Sequence, residues 1–321
     1  MVHTLPEYAK TVTDDKSRAV IELFPDGADF LGVLPFKTAP GGRYGYMREG
    51  QLPNNMGFRG INELPAEGHG LINDFTEQVF PIAGNIDVDR ALIRRFGMER
   101  RAREERMSIK RKSILWAETF INGDNATDPR EFTGLKQRLK AVGGSTDGSN
   151  YESRVFDNAA GASGGAPLSL ANLDIAISLV ENPTHILMPK IILDRFPAAE
   201  RDTNIGGFVS LSQNDMGKTV TKYRGLPIMT GYGLTPQGAF LDFNEVALGG
   251  GAAQTASIYV VSFTEDGVCG LETQPMEVTD FGLLEDGVYY RTNIEHDVGI
   301  CIETPYAAMR MSGVTNAAIT K

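Results

Sequence analysis

The chain has 321 residues, of which 41% are hydrophobic and 22% charged, and its formal net charge is −10. This length and composition are typical of a folded protein with one elaborated domain or two ordinary ones. The negative charge disfavours wholesale binding of nucleic acid or membrane by the outer surface. The sequence opens without an apolar signal segment, no stretch predicts a membrane span, and two cysteines are too few for a disulfide framework.

Residues 1–36 are predicted to form an arm that contains one short helix. The helix begins at an N-cap, Thr13 or Asp14, and continues through KSRAVIELF. Pro25 and Gly27 are expected to end it, because proline lacks the backbone donor and glycine favours non-helical conformations. The apolar sequence DFLGVLPF that follows is expected to be extended.

Residues 37–74 form an unusual segment with eight glycines and three prolines. Within it, RYGYMRE predicts a strand that carries Tyr44 and Tyr46 on one face, and PNNMGFRG is expected to form a tip. Large apolar residues recur at no regular period, so the segment cannot build its own core. We therefore expect it to pack on another surface.

A strand and turn are predicted for residues 71–88, followed by a short helix, DRALIRRF, capped by Asp87 or Asp89. Gly97 is expected to interrupt the helical pattern, because glycine inside a helix costs about 1 kcal/mol. The sequence MERRAREERMSIKRKSILWAETFI then predicts one helix, about 36 Å long at about 1.5 Å per residue. Gly123, which follows this helix, is expected to end it.

Beyond this helix the predicted elements are short. GLKQRLKAVGG predicts a short helix or turn, residues 143–167 are expected to form a loop, and LSLANLDIAISLVEN predicts a helix capped by Ser169 or by a residue just before it. THILMPKIILDRF predicts a strand and a helical turn, and short strands dominate from residue 219. Cys269 and Cys301 are expected to be buried and reduced.

No arrangement of side chains in the sequence predicts catalysis or metal binding. The four histidines, His3, His69, His185 and His296, are scattered, and none has a ligand-like neighbour two to four residues away. Neither a nucleophile elbow nor a phosphate-binding glycine loop occurs in a suitable setting, and GDNATD lacks the spacing of a calcium loop. We therefore expect no enzyme activity, no cofactor and no metal site.

Six stretches of sequence follow one another in a characteristic order. They are AETFINGD (117–124), GLKQRL (134–139), LSLANLDIAISLV (168–180), ILMPKIILDRF (186–196), YRGLPIM (223–229) and DVGICIETPYAAMRMSGV (297–314). In order and spacing, over nearly the whole chain, they resemble the major capsid proteins of tailed bacteriophages, although no single stretch is decisive. The resemblance implies an α+β fold with an N-terminal arm, an extended loop, a peripheral domain built on a long spine helix, and an axial domain.

The resemblance also implies a division of the chain into five segments. They are the arm (1–36), the extended loop (37–74), the peripheral domain with the spine helix (75–164), the axial domain (165–285), and the return strands to the peripheral domain with the C-terminus (286–321). It further implies that the arm clasps a neighbouring subunit and that the extended loop lies across one. The second implication agrees with the missing core of residues 37–74.

The extended loop is therefore expected to supply side chains to a subunit interface. Some members of the family form covalent crosslinks through a loop lysine, but this loop holds only Lys37, at its base, so we expect a shell without crosslinks. The interface residues that the resemblance implies are Arg43, Tyr44, Tyr46, Arg48, Glu49, Met56, Phe58 and Arg59.

The resemblance implies a structural protein that self-assembles into the icosahedral head shell enclosing phage double-stranded DNA. The implied partners are further copies in pentamers and hexamers, a separate scaffolding protein, a portal and, optionally, a decoration protein, with no membrane. The implied location is the virion, after assembly in the host cytoplasm. An encapsulin-type nanocompartment shell shares the fold and is the alternative, and a soluble enzyme with an unrecognised site is a third hypothesis.

Positive charge is concentrated between Arg90 and Lys112, where ten basic residues stand among three acidic ones. Ion pairs four residues apart, such as Arg100–Glu104 and Arg101–Glu105, fit a solvated helix, yet each contributes only about 0.2–0.5 kcal/mol. Since three acids cannot balance ten bases, we expect the surplus to pair with acidic loops of neighbouring subunits or, alternatively, with phosphates of packaged DNA. The candidates for these contacts are Arg100, Arg101, Arg103, Arg106, Lys110, Arg111 and Lys112.

Overall fold

The computed structural model describes residues 3–13, 15–142, 153–200, 209–213, 219–230, 241–274 and 276–320. The α-helices in these ranges are α1 (Leu5–Ala9), α2 (Asp15–Leu23), α3 (Arg90–Phe96), α4 (Met98–Asn122), α5 (Leu135–Arg138), α6 (Leu170–Ser178), α7 (Lys190–Leu193) and α8 (Phe196–Glu200). Short 3-10 turns cover Phe24–Gly27, Asp29–Gly32, Pro40–Gly42 and Pro305–Ala307. None of the helices in the described ranges is long and apolar enough to cross a membrane.

The strands of the first half of the chain are β1 (His3–Thr4), β2 (Pro35–Thr38), β3 (Arg43–Gln51), β4 (Leu71–Gln78), β5 (Phe80–Asp89), β6 (Val155–Asp157) and β7 (His185–Leu187). Those of the second half are β8 (Val209–Gln213), β9 (Thr219–Tyr223), β10 (Leu226–Met229), β11 (Glu245–Val246), β12 (Ala253–Val261), β13 (Val268–Glu272), β14 (Glu277–Leu283), β15 (Tyr289–Ile302) and β16 (Ala308–Thr315). The chain is therefore an α+β protein, as predicted.

These strands form two large sheets and one hairpin. The first sheet has the order β1-β2-β13-β15-β14, and β5 also pairs with β15. The second sheet has the order β6-β16-β12-β7-β10-β9-β8, and β11 pairs with β12. The hairpin consists of β3 and β4, which lie within the extended loop and its return strand.

The long basic stretch forms one helix, α4, as predicted, and its start agrees with the sequence. Asp89 caps the preceding helix α3, because its side chain accepts a hydrogen bond of 2.6 Å from Ala91 N. Gly97 separates α3 from α4 with a φ of 78°, a left-handed conformation that glycine adopts without a steric penalty. The predicted interruption at Gly97 is thus confirmed. Helix α2 forms where predicted, although Asp14, one of its two cap candidates, lies outside the described residues.

Gly123 ends α4 as predicted, but for a different physical reason. Its φ is −52°, so the left-handed conformation that favours glycine after many helices does not occur here. Instead, a Cβ at this position would collide with the carbonyl oxygens of Thr119 and Phe132. Glycine is required because the chain that leaves the helix folds back against its last turn.

Several apolar residues of the arm are part of the core of their own chain. Phe30 and Phe36 are fully buried and lie against the aromatic side chains of α4. The Phe30 ring centroid is 4.9 Å from that of Phe120, and the Phe36 centroid is 5.9 Å from that of Trp116. Phe30 and Phe36 therefore cover the inner face of the spine helix of their own chain, while Val33 of the arm is exposed.

The sheet order also differs from the predicted division of the chain in two places. Strands β13 and β14 fall within the predicted axial segment, yet both pair with β15 in the first sheet, next to α4. Strand β16 falls within the predicted return segment, yet it pairs with β12 in the second sheet. In both cases strand pairing crosses a predicted segment boundary, so boundaries drawn along the chain do not describe the sheets. A further strand, β6, lies inside the stretch predicted as a loop, of which residues 143–152 lie outside the described ranges.

A second core joins the second sheet to helix α6. Ser169 caps this helix as predicted, and its hydroxyl accepts a hydrogen bond of 3.4 Å from Asn172 N. Leu173 and Ile177 of the helix pack with Ile258 and Met309 of the sheet. The predicted strand and helical turn that follow are β7 and α7. Each of the two large sheets therefore has its own apolar layer.

Candidate subunit-contact surfaces

A buried ion pair fixes the base of the extended loop to the body of the chain. Lys37 Nζ lies 2.5 Å from Glu303 Oε1, and Tyr44 Oη donates a hydrogen bond of 2.6 Å to the same oxygen. Burial, the largest single effect, would lower the pKa of Lys37, but the hydrogen bond to Glu303 and the charges around the amine together outweigh burial and raise this pKa above its ordinary value. Burial and the same carboxylate raise the pKa of Tyr44 to about 12. The lysine at the loop base is therefore engaged within its own chain.

Strand β3 turns alternate side chains to opposite sides of the hairpin. Tyr44, Tyr46 and Arg48 face the body of the chain, which confirms the prediction that the two tyrosines share one face. Arg48 Nε donates a hydrogen bond of 2.8 Å to Glu303 O, and its guanidinium lies 4.6 Å from the centroid of the Phe75 ring. These three residues, expected at a subunit interface, serve to attach the loop to its own chain.

The other predicted loop residues are directed away from the body. Arg43 and Glu49 lie on the opposite face of β3 and are exposed, together with Met47. Arg59 is also exposed, although its Nη1 donates a hydrogen bond of 2.9 Å to Glu63 O. Arg43, Met47 and Arg59 therefore extend from the side of the hairpin that faces solvent in a single chain.

The loop tip, residues 52–70, exposes an unusual number of large apolar side chains. Met56 is 81% exposed and Phe58 is fully exposed. Ile61 and Leu64, which the sequence did not single out, are 95% and 94% exposed. Exposed apolar residues that stand singly are ordinary, but four large ones within nine residues of sequence are typical of an interaction site. The tip therefore requires a surface that covers it.

Two of the seven cationic side chains expected to contact a partner are buried within the chain. Arg101, 7% exposed, donates a hydrogen bond of 2.6 Å to Asp280 Oδ1 and one of 2.9 Å to Thr292 Oγ1. Lys112, 9% exposed, donates one of 3.1 Å to Ile294 O. Both point from α4 toward the first sheet and not to the outer face of the helix; Arg101 is held by its own chain, while Lys112 also lines a cleft described below. Charge counted along a helix does not reveal which side of that helix meets a sheet.

The remaining candidates form a cationic outer face on α4. Arg100, Arg103, Arg106 and Arg111 are exposed, and Lys110 is half-buried. Of the ion pairs expected within the helix, Arg100–Glu104 forms at 2.6 Å and Arg101–Glu105 at 3.1 Å. Residues 100, 103, 107 and 111 recur at helical spacing, so the exposed Met107 lies among these arginines. The outer face is therefore basic with an apolar patch.

A cleft of about 240 Å³ lies between α4 and β5, and we call it the Gly84 cleft. Gly84 faces the helix, since it pairs across the sheet with the buried Ile294. A Cβ at Gly84 would meet no atom within 4 Å, so the missing side chain leaves this space open. Lys112, Arg111 and Leu115 line the helix side. The available sequence signal was the single glycine between apolar residues of a strand, which often marks a close approach by another group.

Two of the scattered histidines meet in the structure. His3 Nε2 lies 3.0 Å from Glu272 Oε1, and His296 Nε2 lies 3.1 Å from Glu272 Oε2. Burial lowers the pKa of His296, and burial also lowers the pKa of His185, to about 4. In the described part of the chain, no group of three or more His, Cys, Asp or Glu side chains is arranged to hold a metal ion.

The two cysteines are also neighbours. Cys269 of β13 lies opposite Cys301 of β15 in the first sheet, and both are buried and free, as predicted. Hydrogen bonding between the two thiols and their burial raise the pKa of Cys301. The Cys301 thiol therefore remains protonated, and both buried cysteines pack as small apolar side chains.

The sequence of this chain matches no family model and no curated protein. Solved structures do match it. An encapsulin complex from Synechococcus elongatus is 14% identical with a TM-score of 0.60, covering 90% of this chain and 88% of the encapsulin. The capsid of a native GTA particle is also 14% identical with a TM-score of 0.60, covering 90% of this chain and 91% of that one. The capsid protein of cyanophage A-1(L) is 11% identical with a TM-score of 0.59, covering 90% and 93%.

The chain has the tailed-phage capsid fold. The resemblance inferred from the order of sequence stretches is therefore confirmed at the level of the fold. The structural match extends over about nine-tenths of the chain. The encapsulin matches as well as the phage capsids do, and the capsid fold by itself is compatible with either kind of shell.

Proposed function

We propose that this chain is the major capsid protein of a tailed phage, a structural protein that self-assembles into an icosahedral head shell around double-stranded DNA. The observation that carries the proposal is the loop tip, where large apolar side chains stand in water on a chain with the capsid fold. The proposed role is structural: the chain contacts copies of itself.

The size of the exposed apolar surface is consistent with a shell that is held together by many weak subunit contacts. Burying one large apolar side chain contributes about 1.5–3 kcal/mol, so Met56, Phe58, Ile61 and Leu64 together supply about 6–12 kcal/mol. Association costs about 4–15 kcal/mol in lost translational and rotational freedom. A single loop contact therefore barely offsets this cost. A closed shell repeats the contact many times, and each further subunit gains from several neighbours at once.

The proposed partners follow from this assembly. Copies of the chain form pentamers and hexamers, and a separate scaffolding protein, a portal and an optional decoration protein complete the head. Packaged DNA contacts the inner wall through phosphates, without sequence recognition. The proposed location is the virion, after assembly in the host cytoplasm.

An encapsulin-type nanocompartment is the second candidate, and the equal structural match to an encapsulin favours it specifically. The two functions differ in what the shell encloses. A phage head contains DNA that is protected from nuclease, whereas an encapsulin encloses a protein cargo. Both rest on the same self-assembly.

Negative-stain electron microscopy of the expressed chain tests the self-assembly, with closed shells or capsomer rings expected. A monodisperse small monomer at micromolar concentration would contradict both candidates. Particles purified from the native host distinguish them: nuclease-resistant DNA supports the phage capsid, and a stoichiometric second protein without DNA supports the nanocompartment.

A further inference from the structure

We propose that the Gly84 cleft receives the loop tip of a second copy of this chain, with Leu64 filling the cleft and the flanking carboxylates Glu63 and Glu67 facing Arg111 and Lys112. This inference rests on the shell assembly proposed above and names the surface that the loop covers. In this arrangement Leu64 of one copy binds in the Gly84 cleft of the next copy.

The cleft has the shape and chemistry for one branched apolar side chain. Its wall is made by β5 and by Leu115 of α4, and Ile294 closes it from the sheet side. The space is present because Gly84 offers no side chain to fill it. A free volume of about 240 Å³ is larger than an aliphatic side chain, which leaves room for the flanking backbone.

Lys112 gives the cleft its preference for a carboxylate. Its amine donates one hydrogen bond, to Ile294 O, and within the described ranges no carboxylate lies at ion-pair distance from it. An ammonium group has three donors, so a buried one with a single acceptor is incompletely satisfied. Burial lowers the pKa of Lys112 to about 8, because the charge of Glu295, which forms no ion pair with it, only partly opposes the effect of burial. A carboxylate from a second copy of the chain would supply both an acceptor and an ion-pair partner for the Lys112 amine.

The loop tip is the complementary surface. Leu64 is 94% exposed, and its neighbours on either side in sequence include Glu63 and Glu67. Glu67 is exposed, and Glu63 accepts a hydrogen bond of 2.7 Å from Gly60 N through Oε2, which leaves its carboxylate with further acceptor capacity. An apolar side chain between two acids matches an apolar cleft beside two bases. DNA would match the bases but not the cleft.

Disulfide trapping tests the pairing directly. One chain carries Gly84→Cys, a second carries Leu64→Cys, and the two are mixed, assembled and oxidised with copper phenanthroline. The native Cys269 and Cys301 are buried and free, so they add little background. We expect a covalent dimer from this mixture and a several-fold weaker one when Pro81→Cys replaces Gly84→Cys, because Pro81 is exposed on the opposite face of the same strand and does not line the cleft. Equal trapping at both positions, or none at Gly84→Cys in assembled particles, overturns the proposal.

Exchange of the charges across the proposed contact provides an independent test. Glu67→Lys is expected to reduce assembly several-fold, as is Arg111→Glu, and the two changes together are expected to restore it. Gly84→Leu is expected to abolish assembly while the subunit keeps its urea midpoint, since the added side chain enters open space. If the unsubstituted chain forms no shells, the proposed function itself fails. If shells form with unchanged yield in Gly84→Leu, or if Arg111→Glu lowers only DNA content, this inference alone fails.

Discussion

Substitution of Phe30 by alanine tests whether the arm belongs to the core of its own subunit. The Phe30 ring is fully buried, with ring centroids 4.9 Å from Phe120, 6.3 Å from Trp116 and 6.5 Å from Phe263. Its removal loses the transfer free energy of the ring and leaves a cavity among aromatic groups that cannot collapse easily. Such Phe→Ala changes cost about 3–5 kcal/mol. We expect a loss of this size in the unassembled subunit.

Urea unfolding of dilute, unassembled protein measures the effect. With an m value of about 3 kcal/mol per M, the midpoint of Phe30→Ala should fall by about 1–1.7 M. Phe58→Ala is the matched control, because it removes the same ring from a fully exposed position. Its midpoint should be unchanged, while its shell yield falls. The reasoning is refuted if Phe30→Ala unfolds at the wild-type urea concentration and impairs only assembly, since the arm would then contact a neighbour.

Three further outcomes follow from buried charges. Arg101→Ala should destabilise the subunit by about 3 kcal/mol, because the side chains of Asp280 and Thr292 lose their hydrogen-bond donor. The control, Arg103→Ala, removes an exposed side chain and should change the free energy of unfolding by less than about 0.5 kcal/mol. Equal urea midpoints of the two variants would contradict this prediction. Glu303→Gln should cost about 2–3 kcal/mol and make the hairpin more susceptible to protease, because buried Lys37 loses its counter-charge. The unfolded Lys112 amine keeps its proton up to about pH 10.5 but the folded one loses it near pH 8. The free energy of unfolding of the wild type, relative to Lys112→Met, should therefore rise by up to about 3 kcal/mol between these pH values, and a flat difference would count against the buried cation.

The sequence predicted best those elements whose signals are local. The spine helix α4 was predictable because a long run of helix-forming residues stands between Gly97 and Gly123. The cap of α3 at Asp89 and that of α6 at Ser169 depend on hydrogen bonds that span only two or three residues. The fold was predicted from the order and spacing of several such elements along the chain. That order is more specific to the capsid fold than any single stretch of residues is.

Features that depend on distant residues were not predictable in this way. The apolar side chains of the arm have the same sequence pattern whether they cover their own spine helix or a neighbour's surface, so Phe30 and Phe36 gave no indication of the choice. The alternation in β3 put Tyr44 and Tyr46 on one face, but the identity of the surface under that face depends on Glu303, which lies far away in sequence. The burial of Arg101 and Lys112 likewise depends on where β14 and β15 pass the helix.

The connection between β4 and β5 has a mechanical consequence. Only Val79 separates the two strands, so the return strand of the hairpin continues directly into the first sheet. There β5 is held by ten consecutive residue pairs with β15. A pull on the far end of the hairpin along the strand loads these backbone hydrogen bonds in shear, so that many must break together. In the proposed shell, the hydrogen-bonded backbones of these strands, and not the side chains at the end of the hairpin, would thus transmit internal pressure from one subunit to the next.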